Sequence, residues 1–284
     1  MLNILSVDVE DYFMVSAFSH LIPFTQWGRY ECRVERNTIR LLELFGRKST
    51  KATFFILGWV AERYPQLIKE IHGRGHEVGS HGYNHRLVYE MTPQEFREDI
   101  RKTKHILEDI TGKPIVSYRA PSYSITEKSF WALDILMEEG FRFDSSIYPI
   151  RHDRYGFPAY SRSTAEERRG DLSLMEVPLS TIRLFGMNIP FGGGGYFRLY
   201  PYRFTTWCID HLNNSENLPI VAYIHPWEID CEQPKVRAKC LTRLRHGINI
   251  RKNERRLEAL LDRYRFGSMA EVVGCMDIGK GCRC

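Results

Sequence analysis

Several things are missing from this chain. No run of about eighteen apolar residues occurs, so no membrane-spanning helix is expected. The first residues lack a basic segment followed by an apolar stretch, so a secretory leader is not expected and the setting reads as cytoplasmic. No two cysteines form a C-x-x-C pair. The seven present (Cys32, Cys208, Cys231, Cys240, Cys275, Cys282, Cys284) are odd in number and scattered, which excludes a zinc ribbon and fits reduced thiols. The glycine run Gly192-Gly193-Gly194-Gly195 lacks the surroundings of a phosphate-binding loop, so a nucleotide cradle is excluded. There is no internal repeat and no long low-complexity linker.

With 284 residues, 43% of them hydrophobic and 26% charged, the chain can bury a full core as one large domain or two small ones. Its net charge of +5 is unevenly placed, with nine Lys and Arg between positions 235 and 256. These form either a solvated helical face or a contact for an anionic partner, such as a membrane surface or a phosphate-bearing carrier. No nucleic-acid recognition motif accompanies them.

Short apolar runs at 4–7, 52–57, 77–79, 116–118, 141–143, 174–178 and 220–224 read as strands. Between them, 37–45, 60–73, 93–112 and 126–139 carry helical spacing, and Thr92-Pro93-Gln94-Glu95 reads as a helix start with a capping box. Such alternation implies parallel strands joined by crossovers, in a barrel or an open sheet. Residues 149–171 read as a long loop over its mouth. Polar residues recur just past successive strands: Asp8 and Glu10, His81, Arg119, Asp144 and His225. In a parallel barrel these strand ends share one face, where sites assemble. His81 and His85, four apart, would lie on one helical face and could share a metal ion with a carboxylate from a distant strand, leaving positions open for water and substrate.

With these residues in order, the chain resembles the polysaccharide deacetylases, carbohydrate esterases of the NodB homology type (family 4-like), and within them the subgroup associated with exosortase (PEP-CTERM) loci. The resemblance runs over residues 2–230, with subgroup features reaching about 273. It rests on Ser6-Val7-Asp8-Val9-Glu10-Asp11, Thr53-Phe54-Phe55, His81 to His85, Tyr118-Arg119-Ala120-Pro121-Ser122-Tyr123, Phe143-Asp144-Ser145-Ser146, Gly194-Gly195-Tyr196-Phe197-Arg198 and Tyr223-Ile224-His225-Pro226-Trp227. It implies an α/β fold, a distorted (β/α)7 barrel over 1–230, with 231–284 a basic helical extension packed on it and ending in a short Cys/Gly tail. It also implies a hydrolase of carbon–nitrogen bonds that removes N-acetyl groups from amino sugars, here of a bacterial exopolysaccharide or its lipid-linked precursor.

Site roles follow from the same resemblance. Asp8 would be the base, oriented by Arg119, and His225 the general acid. A divalent metal, zinc first and cobalt, nickel or iron as alternatives, would sit on His81, His85 and a carboxylate. Val9 stands where that carboxylate is usual, so Glu10 takes the role as the alternate strand residue, with Asp11 its competitor. Gly82 replaces a hydroxyl residue, which removes a brace from the histidine loop and puts metal affinity in question. The Tyr123 backbone N–H would help hold the oxyanion, Asp144 and Tyr148 stand near the acetyl pocket, and Trp227 would line the sugar site. The partner would be an N-acetylated glycan or lipid-linked oligosaccharide, with the basic segment touching a membrane peripherally. Two rivals stand beside this reading: a related barrel hydrolase of another amide, such as a ureide or cyclic imide, and an inactive barrel that binds glycans.

Overall fold

The structure is a computed structural model describing residues 1–278; Cys282 and Cys284 lie outside the described residues. Its first strand, β1 (Leu2–Val9), is buried from Asn3 onward, as expected of a parallel strand covered on both faces. Beside it along the sheet stand β2 (Thr53–Ile56), β3 (Glu77–Ser80), β4 (Ser117–Tyr118) and β5 (Phe143–Asp144). Then, past the edge hairpin of β6 (Ala165–Arg169) and β7 (Leu172–Glu176), come β8 (Thr181–Leu184) and β9 (Met187–Pro190), which pair only with each other. On the other side of β1 lies β10 (Val221–Ile224), while β11 (Arg265–Gly267) extends the sheet beside the start of β1. The spatial order is β10-β1-β2-β3-β4-β5-β7-β6, parallel throughout except for β6 against β7.

All seven strands expected from the apolar runs are present. The order nearly closes into a distorted (β/α) barrel. Between β7 and β10 the wall is a single bridge, Gly193 to Tyr223, helped by the Val221 N–H donating to Ser180 Oγ at 2.7 Å. The glycine run exists for this closure: a Cβ on Gly193 would stand 2.3 Å from the Tyr223 carbonyl oxygen.

Helices cover the outside: α1 (Val34–Arg47), α2 (Gly58–Arg63), α3 (Pro65–Gly73), α4 (Pro93–Thr111), α5 (Ala132–Glu138), α6 (Gly194–Leu199), α7 (Tyr202–Asn214), α8 (Cys240–Gly247), α9 (Ile250–Arg263) and α10 (Met269–Ile278). The α4 start is as expected: the Thr92 N–H donates to Glu95 Oε2 at 2.8 Å and the Glu95 N–H to Thr92 Oγ1 at 3.2 Å.

Four local expectations are corrected. The helix expected over 60–73 is two, because Pro65 lacks an N–H and starts α3 as its first residue. The stretch 126–139 begins as a single tight turn before α5. The loop expected over 149–171 contains β6, whose exposed Glu166, Arg168 and Arg169 are the charges typical of an edge strand and hid its periodicity. The C-terminal segment is not helical throughout, since β11 joins the central sheet and the Met269 N–H donates to Thr53 Oγ1 at 2.7 Å.

Candidate metal and hydrolytic site

The site gathers where β1, β3, β4 and β10 end. Alternation along β1 turns Ser6 and Asp8 inward, and Glu10 follows just past the strand. Glu10 Oε1 lies 3.1 Å from His81 Nε2 and 3.1 Å from His85 Nε2. Bonds of about 2.1 Å to one ion place neighbouring donors about 3.0–3.4 Å apart, so this trio already has a metal-site spacing. All three side chains are buried. The other His81 nitrogen, Nδ1, is 2.7 Å from the Arg119 carbonyl oxygen, which can only accept; Nδ1 therefore carries the proton and Nε2 keeps its lone pair for a metal. Burial alone would raise the Glu10 pKa, but the His85 and His81 imidazoles outweigh it and hold the carboxyl well below its ordinary value.

The two histidines do not share a helical face. They lie in the loop after β3, with His85 itself left-handed at φ +59°. Gly82 has φ +70°, and its Cβ would meet Asp99 Oδ2 at 2.9 Å. That Asp99 oxygen accepts the Tyr83 N–H at 3.0 Å. The brace thought lost with the hydroxyl residue is thus supplied from α4. Ser16 Oγ, 3.3 Å from His85 Nδ1 and 2.7 Å from Ser122 Oγ, steadies the second imidazole.

Asp11 is placed elsewhere. Its carboxylate accepts the backbone N–H groups of Tyr12 at 2.8 Å, of Val34 at 2.9 Å and of Arg33, at the start of α1. Glu10 is the carboxylate that meets the histidines.

Arg119 is fully buried and every arm is used. Nη1 donates to Asp8 Oδ1 at 2.8 Å and to Ser6 Oγ at 2.7 Å, Nε to the Ser145 carbonyl at 3.0 Å, and Nη2 to Ser145 Oγ at 2.8 Å. Asp8 is therefore fixed on one oxygen and presents the other to His225, whose Nε2 stands 3.8 Å from Asp8 Oδ2 and 3.8 Å from Glu10 Oε1. Behind the imidazole, Nδ1 meets Glu228 Oε2 at 3.0 Å, and Glu228 Oε1 accepts from Arg198 Nε at 2.7 Å. Burial works to lower the His225 pKa, but Glu228, Glu10 and Asp8 raise it to about 9. Burial works to raise Glu228, yet Arg198 and His225 bring it to about 2.

Three expected roles are not what the geometry offers. The Tyr123 N–H donates to the Ala120 carbonyl at 3.0 Å and so is already spent. Tyr123 and Ser122 are consecutive left-handed residues, φ +55° and +50°, a strained turn held at the site. Trp227 is 4% exposed and stacks with His246 (4.2 Å between centroids) and His225 (5.4 Å), leaving little surface for a sugar. Asp144 sits in the wall behind Arg119, register partner of Glu176, with Oδ1 accepting from Ser146 Oγ at 2.5 Å. Burial raises Asp144 to about 6 and raises Glu176 further, so the pair holds a proton. Tyr148 is also buried, 5.4 Å from the Tyr123 ring, and neither phenol oxygen has a hydrogen-bond partner among the described residues.

Ser6, Ser145, Glu176, Arg198 and Glu228 were not singled out from the sequence. Glu228 had a signal: His225-Pro226-Trp227-Glu228 has the spacing of a capping box, and the His225 N–H donates to Glu228 Oε2 at 3.0 Å. Ser6 could be read as the strand neighbour two before Asp8.

Two family models match parts of this chain. Residues 29–140 match the family "Polysaccharide deacetylase". That stretch of the chain is similar to a polysaccharide deacetylase domain. Residues 145–274 match a second family, described as a domain of unknown function, DUF3473. His81, His85, Arg119 and Tyr123 thus fall in the first matched stretch and Arg198, His225 and Glu228 in the second. Over 108 residues it is 35% identical to a peptidoglycan deacetylase of Helicobacter pylori, covering 38% of this chain and 36% of that protein. Over 98 residues it is 35% identical to a peptidoglycan-N-acetylglucosamine deacetylase of Bacillus cereus, covering 34% and 36%. The chain thus spans little more than a third of these relatives. In fold it is similar to a probable polysaccharide deacetylase from Pseudomonas aeruginosa PAO1, with TM-score 0.56, 17% identity, and coverage of 92% of this chain and 83% of that one.

Proposed function

We propose that this chain is a polysaccharide deacetylase that hydrolyses N-acetyl groups of amino sugars, with a divalent metal, zinc first, held by Glu10, His81 and His85. One observation carries the reading: a carboxylate locked from behind and an imidazole kept protonated, Asp8 and His225, face the same donor trio. Amide hydrolysis needs a proton taken from water at one point and given to a poor amine leaving group at another. Bound there, a metal would supply Lewis-acid polarisation of water and acetyl carbonyl.

The side chains divide the rest. Asp8 Oδ2, free of the Arg119 contact, accepts the proton of the attacking water as its oxygen bonds to the acetyl carbon. His225 Nε2 gives a proton to the sugar nitrogen as the carbon–nitrogen bond breaks, releasing acetate and a free amine. Arg119 positions Asp8, and Glu228 positions His225 and stabilises its cation. An inactive barrel would be expected to lack a base, an acid or a donor, and candidates for all three are present.

The substrate we propose is N-acetylhexosamine in an exopolysaccharide or its lipid-linked precursor, supported by the 194–198 and 223–227 motifs; the relatives' names add N-acetylglucosamine of peptidoglycan as the comparison to run. The deciding assay is acetate release from N-acetylglucosamine oligomers by chelator-stripped protein, with and without added zinc or cobalt. Metal-restored release supports the reading, and bound metal without release from any acetylated glycan refutes it.

A further inference from the structure

The chain reverses between β8 and β9 in two residues. Leu184 pairs with Met187, leaving Phe185 and Gly186 as the turn. Both are left-handed, φ +50° and +76°. Two-residue hairpin turns of this kind favour Asn-Gly, because Asn tolerates the left-handed region and a bulky side chain does not. Phe185 is also 98% exposed, and Met187 beside it 61%. Neither backbone preference nor burial within the fold accounts for an aromatic at this position.

The surroundings are cationic. Arg183 is exposed on the same hairpin. One residue in from the turn, Asn188 Nδ2 donates to the Pro149 carbonyl at 2.7 Å, tying the hairpin to a loop that exposes Arg151 and Arg154. The acid in that loop tip, Asp153, lies 3.0 Å from His152 Nδ1. His152 is lowered by its burial and further by Arg154 and by Arg245 of α8. Around α8, residues 235–253 contain seven Lys and Arg and no acid, and Leu244 is 61% exposed. The same loop reaches the site: His152 stacks on Tyr155 at 3.8 Å, and the Tyr155 ring is 6.0 Å from that of Tyr123.

We propose that the β8–β9 hairpin tip, Phe185 and Met187 with Arg183 on the same hairpin and Arg151 and Arg154 on the loop tied to it, docks this protein on an anionic lipid bilayer. A convex tip offers a folded partner no groove to fill, whereas a fluid interface closes around it; apolar groups enter the acyl boundary while cations meet lipid phosphates. The link through Pro149 sets the rim of the site beside that surface, in reach of a glycan carried on a lipid. Docking does not depend on the deacetylase reading, so each stands or falls separately.

The test is sedimentation of the full chain with phosphatidylglycerol/phosphatidylcholine vesicles and with phosphatidylcholine alone, at low and high salt. Phe185→Asn places Asn-Gly in the turn, so thermal stability should hold or rise while the vesicle-bound fraction falls about tenfold or more, the loss expected when one buried aromatic is removed. Acetate release from soluble oligomers should be unchanged. Phe185→Trp should show a blue shift in emission with anionic vesicles and none with soluble polyphosphate. The proposal is overturned if the parent protein does not bind anionic vesicles at low salt, if Phe185→Asn binds as well, or if polyphosphate alone accounts for the anion affinity. A Phe185→Asn variant that unfolds would show the residue to be structural and would also overturn it.

Discussion

The Arg198–Glu228–His225 relay can be broken at its middle with a nearly isosteric change, Glu228→Gln. Glu228 leads the groups that raise His225 to about 9, ahead of Glu10 and Asp8. Without that charge, burial dominates and the imidazole returns to about 6.5 or lower. At pH 8 a group with pKa 9 is about 90% protonated and one with pKa 6.5 about 3%, so turnover should fall about 30-fold at that pH. The sign is fixed: the acid form is present below the pKa, so the loss should shrink as pH is lowered towards 6, and the basic limb of kcat should move down by about two and a half units. The same change leaves Arg198, 2% exposed, without its carboxylate, which costs about 3–5 kcal/mol. For a chain of this size that lowers Tm by about 5–8 °C. Adding Arg198→Met removes the orphaned charge, so the double variant should regain much of the Tm and keep the shifted pH profile. A basic limb that stays in place in Glu228→Gln would refute the relay, whatever happens to stability.

Other outcomes follow from the same geometry. His81→Ala should lose bound zinc, measured by elemental analysis, and activity together, while the barrel stays folded by circular dichroism. Asp8→Asn should retain the metal but lose about 10²–10⁴-fold in turnover, the range for a lost proton acceptor; near-normal turnover would remove Asp8 as base. Gly193→Ala should fail to close the wall, since the added carbon would lie 2.3 Å from the Tyr223 oxygen, and the result should be insoluble or markedly less stable protein. Glu228, held at about 2, contributes stability that is present above about 4.5 and lost as pH falls through 2, so acid titration of Glu228→Gln should lack that component.

The strands were legible because parallel strands buried on both faces read as plain apolar runs, and each run at 4–7, 52–57 or 220–224 became a strand. The cluster of Asp8, Glu10, His81, His85, Arg119 and His225 was legible because these residues lie at or just past the ends of successive strands. What failed has a physical cause in each case. His81 and His85 carry helical spacing, but positive φ at Gly82 and His85 makes a loop instead. The Tyr123 N–H was assigned by resemblance, and a local turn to Ala120 takes it. The Asp144–Glu176 pair could not be seen, because it depends on which strands lie side by side 32 residues apart. Arg198 could not be seen either: its partners are Glu228 and the carbonyls of His246 and Ile248, all distant in sequence.

The strand that carries Asp8 and leads to Glu10 is made well before its neighbours β10 and β11, which lie far later in the sequence. Bonds such as Met269 N–H to Thr53 Oγ1 close a separation of 216 residues. Contacts this remote make folding slow and leave early strand edges open until late. A nascent chain therefore has its histidine loop and its two β1 carboxylates long before they are held opposite His225. The proposed site is complete only once β10 and β11 have been made, and a chain stopped short of them is a client for chaperones.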